Sequence, residues 1–272
     1  MSVAIEHRVK AKLAEIKKAT GIDTNKLLNT LFLERFLVRI SKSAYKDKLI
    51  FKGGMCLNQL LDIRRTTVDI DFLARGLSTK IEDIKSIFEE IAKIDANDGM
   101  TFSDPKVEEL TLTNKKYPGL RIEVDVNLGQ IKSRVSIDLG VGDAVRPRLL
   151  EIELMRQGEP LFEDQIQLNS YTAEYIFSEK YQAIISLAGF NSRMKDYYDC
   201  YLMIQNNILN PDLLKMALKE TFETRETEFV LISEDFIKEI QEKWNRFIRK
   251  ENLEAETLTN IIAVINNFIK QL

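Results

Sequence analysis

The chain has 272 residues, a length that fits one large domain or two small ones. Hydrophobic residues make up 44% and charged residues 30%, and the 11 glycines and 5 prolines form no low-complexity tract, which excludes a disordered or fibrous protein. Two cysteines, Cys56 and Cys200, and one histidine, His7, are too few for a disulfide framework or a structural zinc site. The single histidine also argues against histidine-based catalysis.

The sequence carries no signal for membrane insertion or export. No run approaches the roughly 18 apolar residues of a membrane-spanning helix. The N-terminal residues alternate between apolar and basic without the apolar core of a signal peptide. We therefore expect a cytoplasmic protein that does not associate with a membrane.

The net charge of −3 is unevenly distributed along the chain. Residues 1–50 carry 11 Lys and Arg against 5 Asp and Glu, whereas residues 51–210 carry 19 against 25. One interpretation is that the basic segment contacts a polyanion and precedes an acidic, cation-binding centre; its basic residues include Arg8, Lys10, Lys12, Lys17 and Lys18. The alternative is that these charges only keep exposed helix faces solvated.

The spacing of apolar residues predicts the order of the secondary structure. Helices are expected over residues 3–19 and 24–43, a strand over 48–52, a helix directly after Gly53-Gly54, a strand over 68–73 and a helix over 79–94. Strands that pair in antiparallel fashion follow over 107–113, 120–128 and 134–139, with turns at 117–119 and 129–130. Further helices are expected over 172–188, 193–206, 211–222, 233–250 and 255–271.

These elements predict an α+β fold with a mixed or antiparallel sheet, flanking helices and a helical C-terminal half. We expect residues 1–165 to hold the N-terminal helices and the catalytic core, and residues 166–272 to form a helical domain. No segment rich in Gly, Pro or Ser separates the two parts. The helical part is therefore expected to contribute to the same cleft.

Two features of the first half are typical of phosphoryl or nucleotidyl transfer. Gly53 and Gly54 lie between a strand and a helix, where missing Cβ atoms would let a phosphate approach the N-terminal amides of the helix. Asp69 and Asp71 share one face of a period-two strand, about 6 to 7 Å apart, and could bind one or two magnesium ions. The alternatives are a purely conformational turn and a solvated strand face.

A third carboxylate is offered by the strand that contains Asp138, whose neighbours in sequence are apolar. If this strand lies beside the first one, Asp138 completes a triad suited to two-metal chemistry. Asp125 lies in a similar local pattern, and periodicity does not distinguish between the two residues.

The helical half supplies a second polar cluster. Lys180 lies in the middle of an apolar helix, and Asp196 and Asp199 are three residues apart in the next helix, hence on one face. Lys180 could contact a triphosphate, with Asp196 as a second polar group of the site. Alternatively, these charges pair with one another and join two antiparallel helices.

Together these residues resemble the AbiEii/AbiGii nucleotidyltransferase toxins of abortive-infection systems, within the DNA polymerase β-like nucleotidyltransferase superfamily. The resemblance covers about residues 49 to 203 and rests on four pieces in order, at residues 51–54, 65–72, 137–143, and 178–183 followed by 191–199. The turn reads Gly53-Gly54-Met55 where Gly-Ser is common in the superfamily, so phosphate contacts there would come from backbone amides.

The resemblance implies a toxin of a toxin–antitoxin pair that transfers a nucleoside monophosphate from an NTP to an RNA such as tRNA and releases pyrophosphate. It implies Mg²⁺ or Mn²⁺ as cofactor and a cognate antitoxin as partner. Asp69, Asp71 and Asp138 would be the metal ligands, and these three with Lys180 and Asp196 the catalytic residues. The implied nucleotide-binding residues are Lys52, Gly53, Gly54, Arg65, Thr67, Lys180, Arg193 and Lys195.

Two other functions remain open at this point. The chain could be a catalytically inactive nucleotide- or RNA-binding module of the same fold, or it could transfer the nucleotide to a protein hydroxyl. The five polar residues of the implied catalytic set argue for an enzyme, because a fold alone has no use for so many polar groups in one cleft.

Overall fold

A computed structural model describes residues 2–61, 67–110, 119–154, 161–254 and 256–272. The chain forms two compact units. The first comprises Met1–Gly142 and Pro147–Ser170, and the second comprises Asp143–Arg146 and Tyr171–Leu272.

The first unit combines four helices with seven strands in its described residues. The helices are α1 (Ser2–Thr20), α2 (Thr24–Lys42), α3 (Gly53–Leu60) and α4 (Ile81–Ala92). The strands are β1 (Leu49–Lys52), β2 (Asp69–Ala74), β3 (Met100–Leu110), β4 (Gly119–Leu128), β5 (Ile131–Val141), β6 (Arg148–Ile152) and β7 (Ile166–Ser170).

The described strands form one mixed sheet in the order β3-β4-β5-β2-β1-β7-β6. The pairs β2–β5 and β1–β7 are parallel, and the remaining neighbours are antiparallel. The predicted hairpin at Gly129-Gln130 is confirmed, because β4 and β5 pair directly on either side of this two-residue turn. The predicted α+β class with a helical C-terminal half is confirmed as well.

The sheet of the first unit has one apolar and one polar face, as strand alternation requires. Ile70, Ile122 and Ile137 are fully buried on one face, whereas Asp71, Arg121 and Asp138, which alternate with them, stay partly exposed. Helices cover the apolar face. The ring of Phe36 in α2 stacks on Phe88 of α4 and contacts Phe102 of β3.

Two arginines of α2 are buried within the first unit. Arg39 donates two hydrogen bonds to the Asp98 carboxylate, at 2.7 and 2.9 Å, and Arg35 donates a third at 2.7 Å. Burial raises the pKa of Asp98, but the two guanidinium groups outweigh it and hold the pKa below its ordinary value. Part of the positive charge of residues 1–50 is therefore neutralised inside the protein.

The second unit is helical in its described residues. Its helices are α5 (Ala173–Leu187), α6 (Met194–Gln205), α7 (Pro211–Thr224), α8 (Ile237–Glu251) and α9 (Leu258–Lys270), with a single 3₁₀ turn at Ala188–Phe190. Aromatic contacts join neighbouring helices, such as Tyr181 of α5 with Phe222 of α7, and Tyr198 of α6 with Phe247 of α8.

The structure corrects several details of the expected elements. Strand β3 begins at Met100 rather than at residue 107. Strands β6 and β7 were not predicted, and Val68, expected on the apolar strand face, precedes β2 and is 73% exposed. Helix α8 begins at Ile237 rather than near residue 233. Residues 111–113 of the predicted third strand and residues 117–118 of the predicted turn lie outside the described residues. Throughout the described part of the chain, no helix combines the length and the apolar character needed to cross a membrane.

Candidate active site

The paired carboxylates predicted on a strand lie on β2. Asp69 and Asp71 are both half-buried and alternate with the buried residues Ile70 and Phe72. Both carboxylates therefore lie on the polar face of the sheet, two residues apart, which corresponds to about 7 Å along the strand.

The third predicted carboxylate lies on the neighbouring strand. Strand β5 runs parallel to β2, and Asp138 is the direct partner of Asp71 in the register. Neighbouring strands lie about 4.8 Å apart. The strand of Asp138 therefore lies beside that of Asp71, as the predicted triad of carboxylates requires.

Two further charged residues continue this register across the sheet. Lys52 of β1 is the partner of Asp71, and Arg121 of β4 is the partner of Asp138. The order across the strands is therefore Lys52, Asp71, Asp138, Arg121, with a cation on each side of two carboxylates. We call these four residues the cross-strand row. Such an arrangement lowers the cost of placing two like charges side by side.

Gly53 brings the start of α3 against this row. It has a φ of +71°, in the left-handed region that favours glycine. A Cβ atom at Gly53 would lie 1.9 Å from Oδ2 of Asp71, so a side chain has no room there. Helix α3 has no side-chain cap hydrogen bond from its N-cap residue Lys52.

These residues fit a hard divalent cation and a phosphate. Carboxylate oxygens are the ligands that Mg²⁺ and Mn²⁺ prefer, and the close approach at Gly53 provides backbone amides beside them. Among the described residues, no three His, Cys, Asp or Glu side chains are already grouped to hold a metal ion. The assignment of Asp69, Asp71 and Asp138 as metal ligands stays a prediction.

Asp125, the alternative third carboxylate, lies on β4 and so is not on a strand next to β2. It pairs in register with Arg134, whose Nε donates to its Oδ1 at 2.6 Å. It is four residues from Arg121, about 13 Å along the strand. The position of Asp125 therefore favours Asp138 as the carboxylate beside Asp71.

In the helical unit, Lys180 of α5 forms ion pairs with two carboxylates of α6. Its Nζ lies 2.9 Å from Oδ1 of Asp196 and 2.8 Å from Oδ2 of Asp199. Burial lowers the pKa of Lys180, but the two carboxylates outweigh it and raise the pKa above its ordinary value. Burial raises the pKa of Asp196, but Lys180 and Arg193 outweigh it and hold the pKa below its ordinary value.

This geometry matches one of the two interpretations of the sequence, in which the charges of Lys180, Asp196 and Asp199 pair with one another. Two carboxylates satisfy one buried ammonium and join α5 to α6. The contact of Lys180 with a triphosphate stays a prediction.

The remaining predicted nucleotide-binding residues differ in their surroundings. Arg193 precedes α6, is half-exposed, and lies with its Nε 2.7 Å from Oδ2 of Asp196. Lys195 is exposed, and Thr67 is half-buried just before β2. Arg65 lies outside the described residues. Their contacts with a nucleotide also stay predictions.

Arg121 is the charged residue of the cross-strand row that the sequence analysis missed. A signal was available in the predicted hairpin, because a two-residue turn fixes the register of both strands. Counting back from the turn at Gly129-Gln130 places Arg121 opposite Asp138. Periodicity alone identifies the polar face but not this pairing.

Comparisons with known proteins identify the family of the chain. The family model of the "Nucleotidyl transferase AbiEii toxin, Type IV TA system" matches residues 35–263. The chain is similar to the crystal structure of JHP933 from Helicobacter pylori, with 16% identity and a TM-score of 0.49, over 89% of this chain and 94% of that one. It is also similar to a proposed nucleotidyltransferase from H. pylori, with 14% identity and a TM-score of 0.48, over 92% and 98%. None of the curated proteins matches the sequence. Because the family model spans most of the chain, this protein belongs to the AbiEii nucleotidyl transferase toxin family.

Proposed function

We propose that this protein is a metal-dependent nucleotidyltransferase that transfers a nucleoside monophosphate from an NTP to an RNA, such as tRNA, and acts as the toxin of a toxin–antitoxin pair. The observation that carries the proposal is the cross-strand row beside Gly53. It combines carboxylates, flanking cations and a turn without side chains, which are the parts that nucleotidyl transfer needs.

In this proposal the residues around Gly53 bind the phosphates of the NTP. The backbone amides of the Gly53-Gly54 turn and of the start of α3 donate hydrogen bonds to the anionic oxygens, and Lys52 adds a positive charge at the same end of β1. Asp69, Asp71 and Asp138 hold a divalent cation, which would neutralise charge on the phosphate that is transferred. The acceptor hydroxyl attacks the α-phosphorus, the bond to the β-phosphate oxygen breaks, and pyrophosphate leaves.

Lys180 and Asp196 are also proposed to be catalytic residues of this reaction. The two ion pairs that Lys180 makes give its ammonium a fixed position. A fixed cation is suited to orienting a triphosphate, because it needs no reorganisation when the substrate arrives.

The assignment of the chemistry is tested by incubation of the purified protein with each labelled NTP, Mg²⁺ and total RNA. Asp69→Asn and Asp71→Asn keep the side-chain shape and remove a charge, so transfer should fall by orders of magnitude while the fold survives. Asp125→Asn is a control on the same sheet face, because Asp125 pairs with Arg134 and is not one of the proposed metal ligands. Near-normal transfer in both Asp69→Asn and Asp71→Asn would overturn the proposed metal ligands. Label in protein rather than in RNA would identify a protein hydroxyl as the acceptor.

An RNA acceptor is supported by the exposed basic residues of α1. Val9, Leu13 and Ile16 are buried, whereas the basic residues Arg8, Lys10, Lys17 and Lys18 are exposed. Each phosphate that a protein contacts on a single strand contributes about 0.7 to the slope of log affinity against log salt concentration.

A charge reversal tests this role of α1. Replacement of Arg8, Lys17 and Lys18 by Glu should weaken RNA binding, reduce the salt slope by about 2, and leave NTP binding unchanged. RNA affinity that does not depend on salt would contradict a role of α1 in acceptor binding.

A further inference from the structure

The Arg121 side chain holds both carboxylate oxygens of Asp138. Its Nε donates to Oδ1 and its Nη2 to Oδ2, each at 2.8 Å. Arg121 is 40% exposed and Asp138 22% exposed, so the contact lies at the accessible polar face of the sheet rather than in the core. The register of β4 against β5 places the two residues directly opposite each other.

This contact places a permanent positive charge at the carboxylate group proposed to bind metal. An arginine stays protonated at any pH that the folded protein experiences. Hydrogen bonding to Asp138 raises the pKa of Arg121 further, and the charge of Asp69 adds to this effect. Arg121 is therefore within the electrostatic reach of two of the three proposed ligands.

A divalent cation and this guanidinium require the same oxygens. A cation that binds Asp138 must share or displace two charge-assisted hydrogen bonds, which are among the stronger hydrogen bonds in proteins. It must also approach a like charge at short range, which costs free energy even at the high effective dielectric of a surface site. Both effects lower the affinity of Asp138 for a divalent cation.

We propose that Arg121 competes with the divalent cation for Asp138 and thereby keeps the affinity of the protein for free metal low. Arg121 is then a positioning residue for the third carboxylate, and it sets the metal concentration at which the site fills. The inference rests on the proposed function, because it takes Asp138 as a metal ligand. It adds a residue that the proposed metal and nucleotide contacts do not include.

The alternative role for Arg121 is a surface ion pair that only stabilises the β4–β5 hairpin. The chain offers a matched control for this alternative. Arg134 on β5 is 43% exposed, lies on the same hairpin and pairs with Asp125 and Glu123 at 2.6 and 2.9 Å. It is four residues from Asp138, about 13 Å along the strand. Loss of Arg134 should therefore affect the hairpin but not the proposed metal site.

The test measures binding of Mn²⁺ alone to the full chain, with free Mn²⁺ followed by electron paramagnetic resonance. Arg121→Gln should bind Mn²⁺ about tenfold more tightly than the wild type, because it removes a charge and frees two oxygens. Arg121→Lys should give a smaller gain, since it keeps the charge but loses the bidentate geometry. Arg134→Gln should bind like the wild type. Circular dichroism confirms that each variant is folded.

A double variant assigns the gain to Asp138. In an Asp138→Asn background, Arg121→Gln should increase Mn²⁺ affinity much less than it does in the wild type, because the contested carboxylate is replaced by a neutral amide. An unchanged or weaker Mn²⁺ affinity in folded Arg121→Gln overturns the proposal, and so does an equal gain in Arg134→Gln. The transferase assay with Asp71→Asn decides separately whether the proposed function stands, so the two failures are distinguishable.

Discussion

Gly53 is the residue whose backbone geometry most directly limits the candidate site. Gly53→Ala should lower transfer by at least about tenfold, because the new methyl group would displace the Asp71 carboxylate. The left-handed φ of +71° should add a loss of about 1 to 2 kcal/mol in the free energy of unfolding. Transfer assays and urea denaturation measure the two effects.

A matched control separates the position of Asp71 from backbone strain. Gly76 has a φ of +64° and no heavy atom within 4 Å of its would-be Cβ. Gly76→Ala should therefore lose a similar amount of stability and keep full transfer. Equal transfer in the two variants would show that the close approach at Gly53 does not matter for the reaction.

At the scale of residues, the sequence identified charged residues of the candidate site better than it identified the residues that they contact. Asp69 and Asp71 could be placed on one polar face because strand alternation is a local property. Which carboxylate lies beside them depends on strand order, so Asp138 and Asp125 could not be separated. The ion pairs of Lys180 were a defined alternative, but helical spacing does not determine whether a buried lysine meets carboxylates or a ligand.

At the scale of elements, the pairing of α5 with α6 depends on one buried cation. Lys180→Met should lower the free energy of unfolding by about 3 to 5 kcal/mol, because it leaves Asp196 and Asp199 without their shared partner. Lys195→Met is the control on the same helix, where the side chain is exposed and stability should be unchanged. Urea denaturation of both variants measures the difference, and equal stability would contradict a structural role of the Lys180 ion pairs.

The anchoring of α2 by Asp98 leads to a prediction about acid stability. The pKa of Asp98 in the folded protein lies below its ordinary value of 3.8. Its stabilising effect is therefore complete above that ordinary value and is lost as the pH falls through the lower, folded value. The free energy of unfolding should decrease in this acidic range.

Asp98→Asn should cost about 3 to 5 kcal/mol at pH 7, because Arg39 and Arg35 lose the charge that they share. The gap between the variant and the wild type should narrow at pH 3, because this pH is below the ordinary pKa of 3.8 and protonation of Asp98 in the unfolded state lowers the free energy of unfolding of the wild type. Asp95→Asn, at an exposed carboxylate nearby, should change neither value. Urea denaturation at both pH values measures the gap, and an equal gap at pH 3 and pH 7 would contradict the assignment.

The sequence predicted most elements but not how the strands combine. Helices and the β4–β5 hairpin follow from local periodicity and a two-residue turn, and both are confirmed. The parallel pairs β2–β5 and β1–β7 join segments far apart in the chain, and no local pattern specifies such partners. Strands β6 and β7 have five residues each, and neither forms a long alternating run.

At the scale of the whole molecule, the charge distribution can be divided into internal and external parts. Arg35 and Arg39 are buried against Asp98, so they do not contribute to a surface that attracts RNA. The exposed basic residues of α1 remain available for that purpose. A count of charges in the sequence does not separate these two groups, because it contains no information on burial.

The family to which the chain belongs leads to a prediction about living cells. Expression of the intact protein alone should slow or stop bacterial growth, because a transferase that blocks an essential RNA needs few turnovers to arrest translation. Asp71→Asn should relieve the effect, whereas Asp125→Asn, on the same sheet face, should remain toxic. Growth must be compared at equal levels of soluble protein, since the loss of a charge beside Asp138 can also change stability. A harmless wild type at high soluble expression would contradict the toxin role and leave the transferase chemistry to the assay with RNA. Equal toxicity of Asp71→Asn would instead separate growth arrest from the proposed metal site.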